Sequence, residues 1–335
     1  MNSDLISTIQ KLGYTLREAS FLYLVAIHSG YFLRRQFDTF IERVDGAIAT
    51  HFLGKAIQLG HVDALNFSQN RHVYHLISKT IYRFLGNEDS QNRRLKGDEE
   101  IQRRLMALDY ILENRVRKFL AGEQERVQFF HQGLGIPLAS LPHATFVSAD
   151  GHEQTTRYFV DRLPISIAEQ EKGFPVVHLT YIDIGISTIK PFLRFLARHR
   201  SLLEALRNFE LVYVADSDTN FAAARRQFDR RFQASTSTGR FPHGVEHFIS
   251  YLRARRMCET NNVPLQLEQI SLLRDGSAIY RSPDHEVIYA QWKNGAVREE
   301  KLRSEFGAKL TRCSFETHLL RESYPFVKPR YAGRA

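Results

Sequence analysis

An α+β fold is expected from two stretches of this chain. Within residues 15–75, three short amphipathic segments run into a pair of strand-like segments. From residue 143 onward, strand-like and helix-like runs alternate. A chain of 335 residues has room for two domains that each bury a core.

The first stretch opens with Thr15-Leu16-Arg17-Glu18. At this spacing the Thr hydroxyl takes the Glu18 N–H and the glutamate reaches back, which starts a helix. Phe21, Leu22, Leu24 and Val25 supply its buried face, and Gly30 ends it. Residues 33–41 form a second helix carrying Phe37 and Phe40. Asp45 is placed to cap a third, which runs through Ala47, Phe52, Leu53 and Ile57 to a stop at Gly60. Residues 61–65 and 72–76 then read as two strands around a polar tip, with His72 and His75 on the solvent side. Three helices closed by a two-stranded wing is the order of a winged helix-turn-helix, assigned to residues 1–85.

Residues 86–135 read as a helical connector. Residues 86–97 are expected as an exposed loop, after which Asp98 caps a long helix. That helix has Ile101, Leu105, Leu108, Ile111 and Leu112 on its core face, and Arg103, Arg104, Asp109, Glu113 and Arg117 on a solvated one. Gly133, Gly135, Pro137 and Pro142 mark a domain boundary. Residues 136–335 then form an α/β domain. Strands are expected at 143–147 and 155–161 around a turn at 149–152, at 174–184, where a β-branched run ends at Gly185, and at 209–215. Helices are expected at 187–208, 220–232 and 243–261. Asp275-Gly276 and Lys293-Asn294-Gly295 read as the turns of two closing hairpins.

A net charge of +9 favours an anionic partner, double-stranded DNA foremost. On the third helix Thr50, His51, Lys55 and Gln58 lie off the apolar face, where they can meet base edges or phosphates in a major groove. Arg34 and Arg35 at the second helix suit phosphates, as do Asn70 and Arg71 at the wing tip. Arg225, Arg226, Arg230 and Arg231, then Arg253, Arg255 and Arg256, alternate with aromatic residues and read as basic helix faces for further phosphate contacts. The competing reading is a winged helix that docks a protein.

Asp161 and Asp183 end strands where a metal-dependent nuclease would hold Mg²⁺, but the lysine such a site uses two residues on is missing after Asp183. Asp216-Ser217-Asp218 is expected as a helix cap. The chain has no Gly-rich phosphate loop, no HExxH and no serine elbow, so a protein without catalytic residues, metal or cofactor is expected. Cys258 and Cys313 give neither a disulfide framework nor metal spacing. With no membrane-length apolar run and no signal peptide, a cytoplasmic location away from the membrane is expected.

Leu59-Gly60-His61-Val62 leads into the wing and Val73-Tyr74-His75-Leu76 leaves it. A long helix follows with Leu105-Met106-Ala107-Leu108-Asp109-Tyr110-Ile111-Leu112. Tyr181-Ile182-Asp183-Ile184-Gly185 then precedes a helix with Phe192 and Phe195. In this order of elements residues 15–215 resemble the replication-relaxation family of plasmids, phages and integrative elements. The resemblance implies a winged helix joined to a nuclease-like α/β core. Tyr181 stands where that family's pattern has glutamate, so the core is expected to be degenerate. The function it implies is sequence-specific DNA binding that regulates transcription, replication or transfer of a mobile element, with a homodimer or a protein partner as further expectations. A nuclease using Asp161 and Asp183, and a protein-interaction scaffold, are the alternatives.

Overall fold

The computed structural model describes residues 3–43, 46–67, 71–148, 154–169, 175–185, 188–206, 208–232, 245–260, 264, 266–306, 312–322 and 324. Helices and strands are mixed, and the chain packs as two compact units, residues 1–224 with 313–335, and residues 225–312. The Gly/Pro-rich stretch expected as a boundary lies inside the first unit.

That unit begins with α1 (Ser3–Gln10) and α2 (Leu16–His28). Thr15 and Glu18 form the expected reciprocal cap, with the Glu18 N–H 3.3 Å from Thr15 Oγ1 and the Thr15 N–H 2.8 Å from Glu18 Oε2. A short β1 (Tyr31–Phe32), α3 (Arg34–Phe40) and α4 (Ala47–Gln58) follow. Gly46 occupies the capping position of α4, and Asp45 lies outside the described residues. Strands β2 (Val62–Phe67) and β3 (Arg71–Leu76) pair antiparallel, and β1 adds on β3 to give the order β1-β3-β2.

Aromatic side chains from each piece close this core. Phe21 meets Phe37 edge-on at 5.1 Å, and Phe37 stacks on Phe52 at 4.2 Å. Truncating a ring buried this way to Ala costs about 3–5 kcal/mol. His75 is a correction. Side chains alternate along a strand, so His72 and His75 face opposite ways, and His75 is buried with its ring stacked on Tyr31 at 4.2 Å.

Next come α5 (Lys79–Phe84), capped by Ser78, a 3₁₀ turn at Gln91–Arg93, and α6 (Asp98–Glu113). Gly97, not Asp98, caps α6. Asp98, Glu99 and Glu100 fill its first turn, where the helix dipole favours carboxylates. Two expectations are corrected here. Residues 86–97 are not a loop on the outside, since Ser90 and Asn92 are buried. The charged side of α6 is not solvated throughout either, since Arg104 and Asp109 are buried in polar contacts.

The remainder of the first unit is α/β. Strand β4 (Lys118–Phe119) leads to α7 (Glu123–Val127), then to a hairpin of β5 (His143–Val147) and β6 (Gln154–Tyr158). The turn at 149–152 lies outside the described residues. Strands β7 (Ile165–Ala168) and β8 (Val176–Asp183) run antiparallel. Helices α8 (Lys190–Arg198) and α9 (Arg200–Ala205) cross over to β9 (Asn208–Ala215), which lies parallel to β8. The single helix expected at 187–208 is thus two, broken at His199. With β10 (Arg312–Leu319) the sheet order is β10-β9-β8-β7-β4. Tyr181 and Tyr213 pack against Phe192 on one face of this sheet. Helix α10 (Phe221–Phe232) follows, and the boundary between the two units falls within it, after Ala224.

The second unit is helical, with α11 (Val245–Thr260), α12 (Leu267–Ile279), α13 (Pro283–Lys293) and α14 (Glu299–Phe306). Phe248, Tyr251, Leu252, Tyr280 and Tyr289 build its core. The two expected hairpins are absent among the described residues, because Asp275-Gly276 lies within α12 and Lys293-Asn294-Gly295 ends α13. Among the described residues no helix is long and apolar enough to cross a membrane.

Candidate functional site

Helix α4 divides cleanly into two faces. Ala49, Phe52, Leu53 and Ala56 are buried. Ala47, His51, Gly54 and Gln58, spaced i, i+4, i+7 and i+11, form one exposed stripe, with Thr50 and Ile57 along one side and Ile48 along the other. A Cβ at Gly54 would meet nothing within 4 Å, so no packing inside the chain explains a glycine in mid-helix. The β2–β3 hairpin follows α4 directly, but Asn70 and the Arg71 side chain lie outside the described residues.

Three of the cations expected beside this stripe differ in what they do. Arg34 stays largely accessible, with Nη2 donating to Gly46 O at 3.2 Å and Nε 3.8 Å from Asp38. Lys55 is engaged inside the fold instead. Its ammonium pairs with Glu18, donates to Gly13 O at 3.1 Å and sits over the Tyr14 ring at 5.0 Å. Arg35 is engaged more deeply, in a bidentate pair with Asp109 of α6. The partners Glu18 and Asp109 were both legible as charged residues, but only folding brings them to these cations across 37 and 74 residues of sequence.

The basic helices divide in the same way. Arg225, Arg226 and Arg230 are exposed on α10 and Arg231 is half-buried. On α11, Arg253 pairs with Glu299. Arg255 makes a bidentate pair with Glu286 at 2.8 and 2.9 Å and lies over Tyr289 at 4.0 Å, while Arg256 lies over Trp292 at 5.6 Å. Arg255 is thus engaged between helices of the second unit, while Arg253 and Arg256 make their contacts from exposed positions.

The two carboxylates considered for metal are each occupied by other groups. Asp183, at the end of β8, accepts from the Gly185 N–H at 3.0 Å, the Tyr213 hydroxyl at 2.6 Å and the Asn220 amide at 2.9 Å. Those bonds close the chain's sharp exit at Gly185, whose φ is +71°. Asp161 stands 3.2 Å from His199 Nε2. Burial works to raise its pKa, but His199 and Arg126 outweigh it and hold the carboxyl below its ordinary range. Burial in turn lowers Arg126 to about 10. Among the described residues no three His, Cys, Asp or Glu side chains stand together as a metal site.

Chemically, α4 offers a hydroxyl, an imidazole and a carboxamide on a surface with no net charge of its own. Comparison with protein-family models, with curated proteins and with solved structures finds no match.

Proposed function

We propose that α2, α3, α4 and the β1-β3-β2 sheet form a winged helix-turn-helix that binds double-stranded DNA, with α4 in the major groove and the β2–β3 hairpin as the wing. One observation carries the reading, the stripe of Ala47, His51, Gly54 and Gln58 with Thr50 beside it. Thr, His and Gln are side chains that read base edges by hydrogen bonding. Gly54 lets the helix backbone approach a groove wall closely, at a cost of about 1 kcal/mol relative to Ala. Arg34 supplies a phosphate contact in this reading. With the resemblance of residues 15–215 to replication-relaxation proteins, the role is sequence-specific regulation of transcription, replication or transfer of a mobile element. Cleavage is no part of it, because Asp161 and Asp183 are held by other side chains.

The test is fluorescence anisotropy with labelled duplexes, from around the protein's own gene and of random sequence, over a salt series. The expected result is a site preference, with affinity falling as salt rises. His51→Ala and Gln58→Ala each weaken the preferred site by about tenfold or more and leave random DNA unchanged. Absence of binding at every salt concentration overturns the reading. In that outcome the flanking Ile48, Ile57 and Leu59, each more than 40% exposed, favour a protein partner on the same helix.

A further inference from the structure

Asn92, in the turn between α5 and α6, is the centre of a buried cationic cluster. Its carboxamide nitrogen donates to Ala26 O at 2.9 Å, which fixes the amide and turns its oxygen the other way. That single oxygen accepts from Arg104 Nη1 at 2.7 Å and from Arg162 Nη1 at 2.5 Å. Two guanidinium groups therefore meet within about 5 Å of each other on a neutral acceptor, where they repel.

Glu100 offsets part of this charge, acting on Arg104, Arg162 and Lys96. Arg104 pairs with Glu100 at 3.0 Å, but Glu100 is shared with Arg103. Arg93 donates only to the carbonyls of Ile77 and Glu88, and Lys96 has no ion pair among the described residues. Arg162 keeps Nε and Nη2 without a partner among the described residues. Its backbone is left-handed, with φ +53°, a conformation that a side chain of this kind seldom adopts without compensation. The neighbouring Tyr82 is 1% exposed, and its hydroxyl has no hydrogen-bond partner among the described residues. Arg104, Arg162 and Arg93 are the cations acting on that hydroxyl. Arg162 and Lys96 are only partly buried, so the cluster opens to solvent on their side.

We infer that Arg162, Arg104, Lys96 and the Tyr82 hydroxyl form a binding site for a phosphate group. Guanidinium forks match the spacing of phosphate oxygens. A phosphate adds negative charge to cations that share the single Glu100 carboxylate and offers an acceptor to the Tyr82 hydroxyl, which has none among the described residues. The phosphate belongs either to a DNA backbone or to a small phosphorylated molecule. The inference does not depend on DNA binding by α4, since α4 contributes none of these residues.

The test is isothermal titration of the intact protein with inorganic phosphate at constant ionic strength, with chloride as the control anion, beside the DNA titration above. Phosphate is expected to bind with unit stoichiometry. Arg162→Gln weakens it about tenfold, as does Lys96→Gln more mildly. Tyr82→Phe, which removes a hydroxyl without a hydrogen-bond partner among the described residues, weakens phosphate without lowering the melting temperature. If Arg162→Gln also weakens duplex DNA, and phosphate competes with DNA, the source is a nucleic-acid backbone. If DNA binding is indifferent to both, the source is a small phosphorylated molecule. No phosphate heat above the chloride control, or equal binding by wild type and Arg162→Gln in proteins of equal melting temperature, overturns the inference.

Discussion

Arg35 and Asp109 form a two-pronged ion pair, Nη1 to Oδ1 at 2.8 Å and Nη2 to Oδ2 at 2.9 Å, that ties α3 to α6. Tyr324 adds a hydroxyl to Asp109 Oδ2 at 2.7 Å, and Glu322 lies 3.3 Å from Arg35 Nε. One carboxylate thus joins three separate parts of the first unit.

Removing that carboxylate strands two donors. Asp109 is 4% exposed, and its truncation leaves the Arg35 fork with only the outer contact to Glu322 and the buried Tyr324 hydroxyl without its acceptor. Asp109→Ala is expected to lower the stability of the first unit by about 3 kcal/mol. Arg35→Met, which keeps the stem but deletes the fork, costs at least as much, because it leaves the buried Asp109 carboxylate with the Tyr324 hydroxyl and no cation in place of the fork. Urea denaturation followed by circular dichroism reads both. Equal small losses for the two variants contradict this account.

The stability of the first unit also carries a pH signature. Burial, helped by the charge of Arg126, pushes His28 down to about 3. Burial likewise lowers His75, although its hydrogen bond to Asn92 O opposes the shift. An unfolded histidine titrates near about 6.5. Below that pH the unfolded chain takes up protons that the native chain refuses, so stability is full above it and is lost as pH falls towards 3. The expected loss reaches about 1.4 kcal/mol per pH unit for His28, and His75 adds to it in the same direction. Urea midpoints from pH 8 to pH 5 test this, and His28→Gln flattens the slope. A midpoint that rises on acidification rules it out.

What could be read in the sequence depended on how local the signal was. The Thr15–Glu18 cap, the apolar faces of α2 and α4, and the β-branched run of β8 are set by residues a few positions apart, and all are present. The expected phosphate contacts of Lys55, Arg35, Arg253 and Arg255 met carboxylates that no sequence spacing points to. Asn92 looked like one more polar residue in a loop, although two arginines converge on its amide. Asp275-Gly276 read as a turn because glycine after aspartate usually is one, but here the glycine is small for the sake of a neighbour. Tyr251 Cδ2 lies 2.4 Å from where a Cβ at position 276 would stand.

A glycine that is small for a packing reason and one that is not respond to alanine with opposite signs. Gly276→Ala adds the helix preference of alanine but forces Tyr251 out of the second unit's core. It is expected to destabilise that unit by about 1–3 kcal/mol. Gly54→Ala adds the same preference with nothing to displace, so it is expected to stabilise the first unit by about 1 kcal/mol. Calorimetric melting of the two variants separates these cases, and a loss of stability in Gly54→Ala would mean that an intramolecular contact had been missed.

Gly30→Ala is the most severe of the glycine changes, for two independent reasons. Gly30 has φ +81°, which alanine adopts only under strain, and its added Cβ would stand 2.7 Å from Asn92 O. Backbone oxygen cannot swing aside as a side chain can, so the turn at Asn92 must move. Movement there breaks the bond from His75 Nε2 to Asn92 O and shifts the amide on which Arg104 and Arg162 meet. The expected outcome is a loss of at least about 2 kcal/mol together with weaker phosphate binding in whatever protein remains folded. Measuring both at a temperature well below the transition separates them. Phosphate affinity equal to wild type in folded Gly30→Ala would mean that the arginines do not depend on Asn92 for their position.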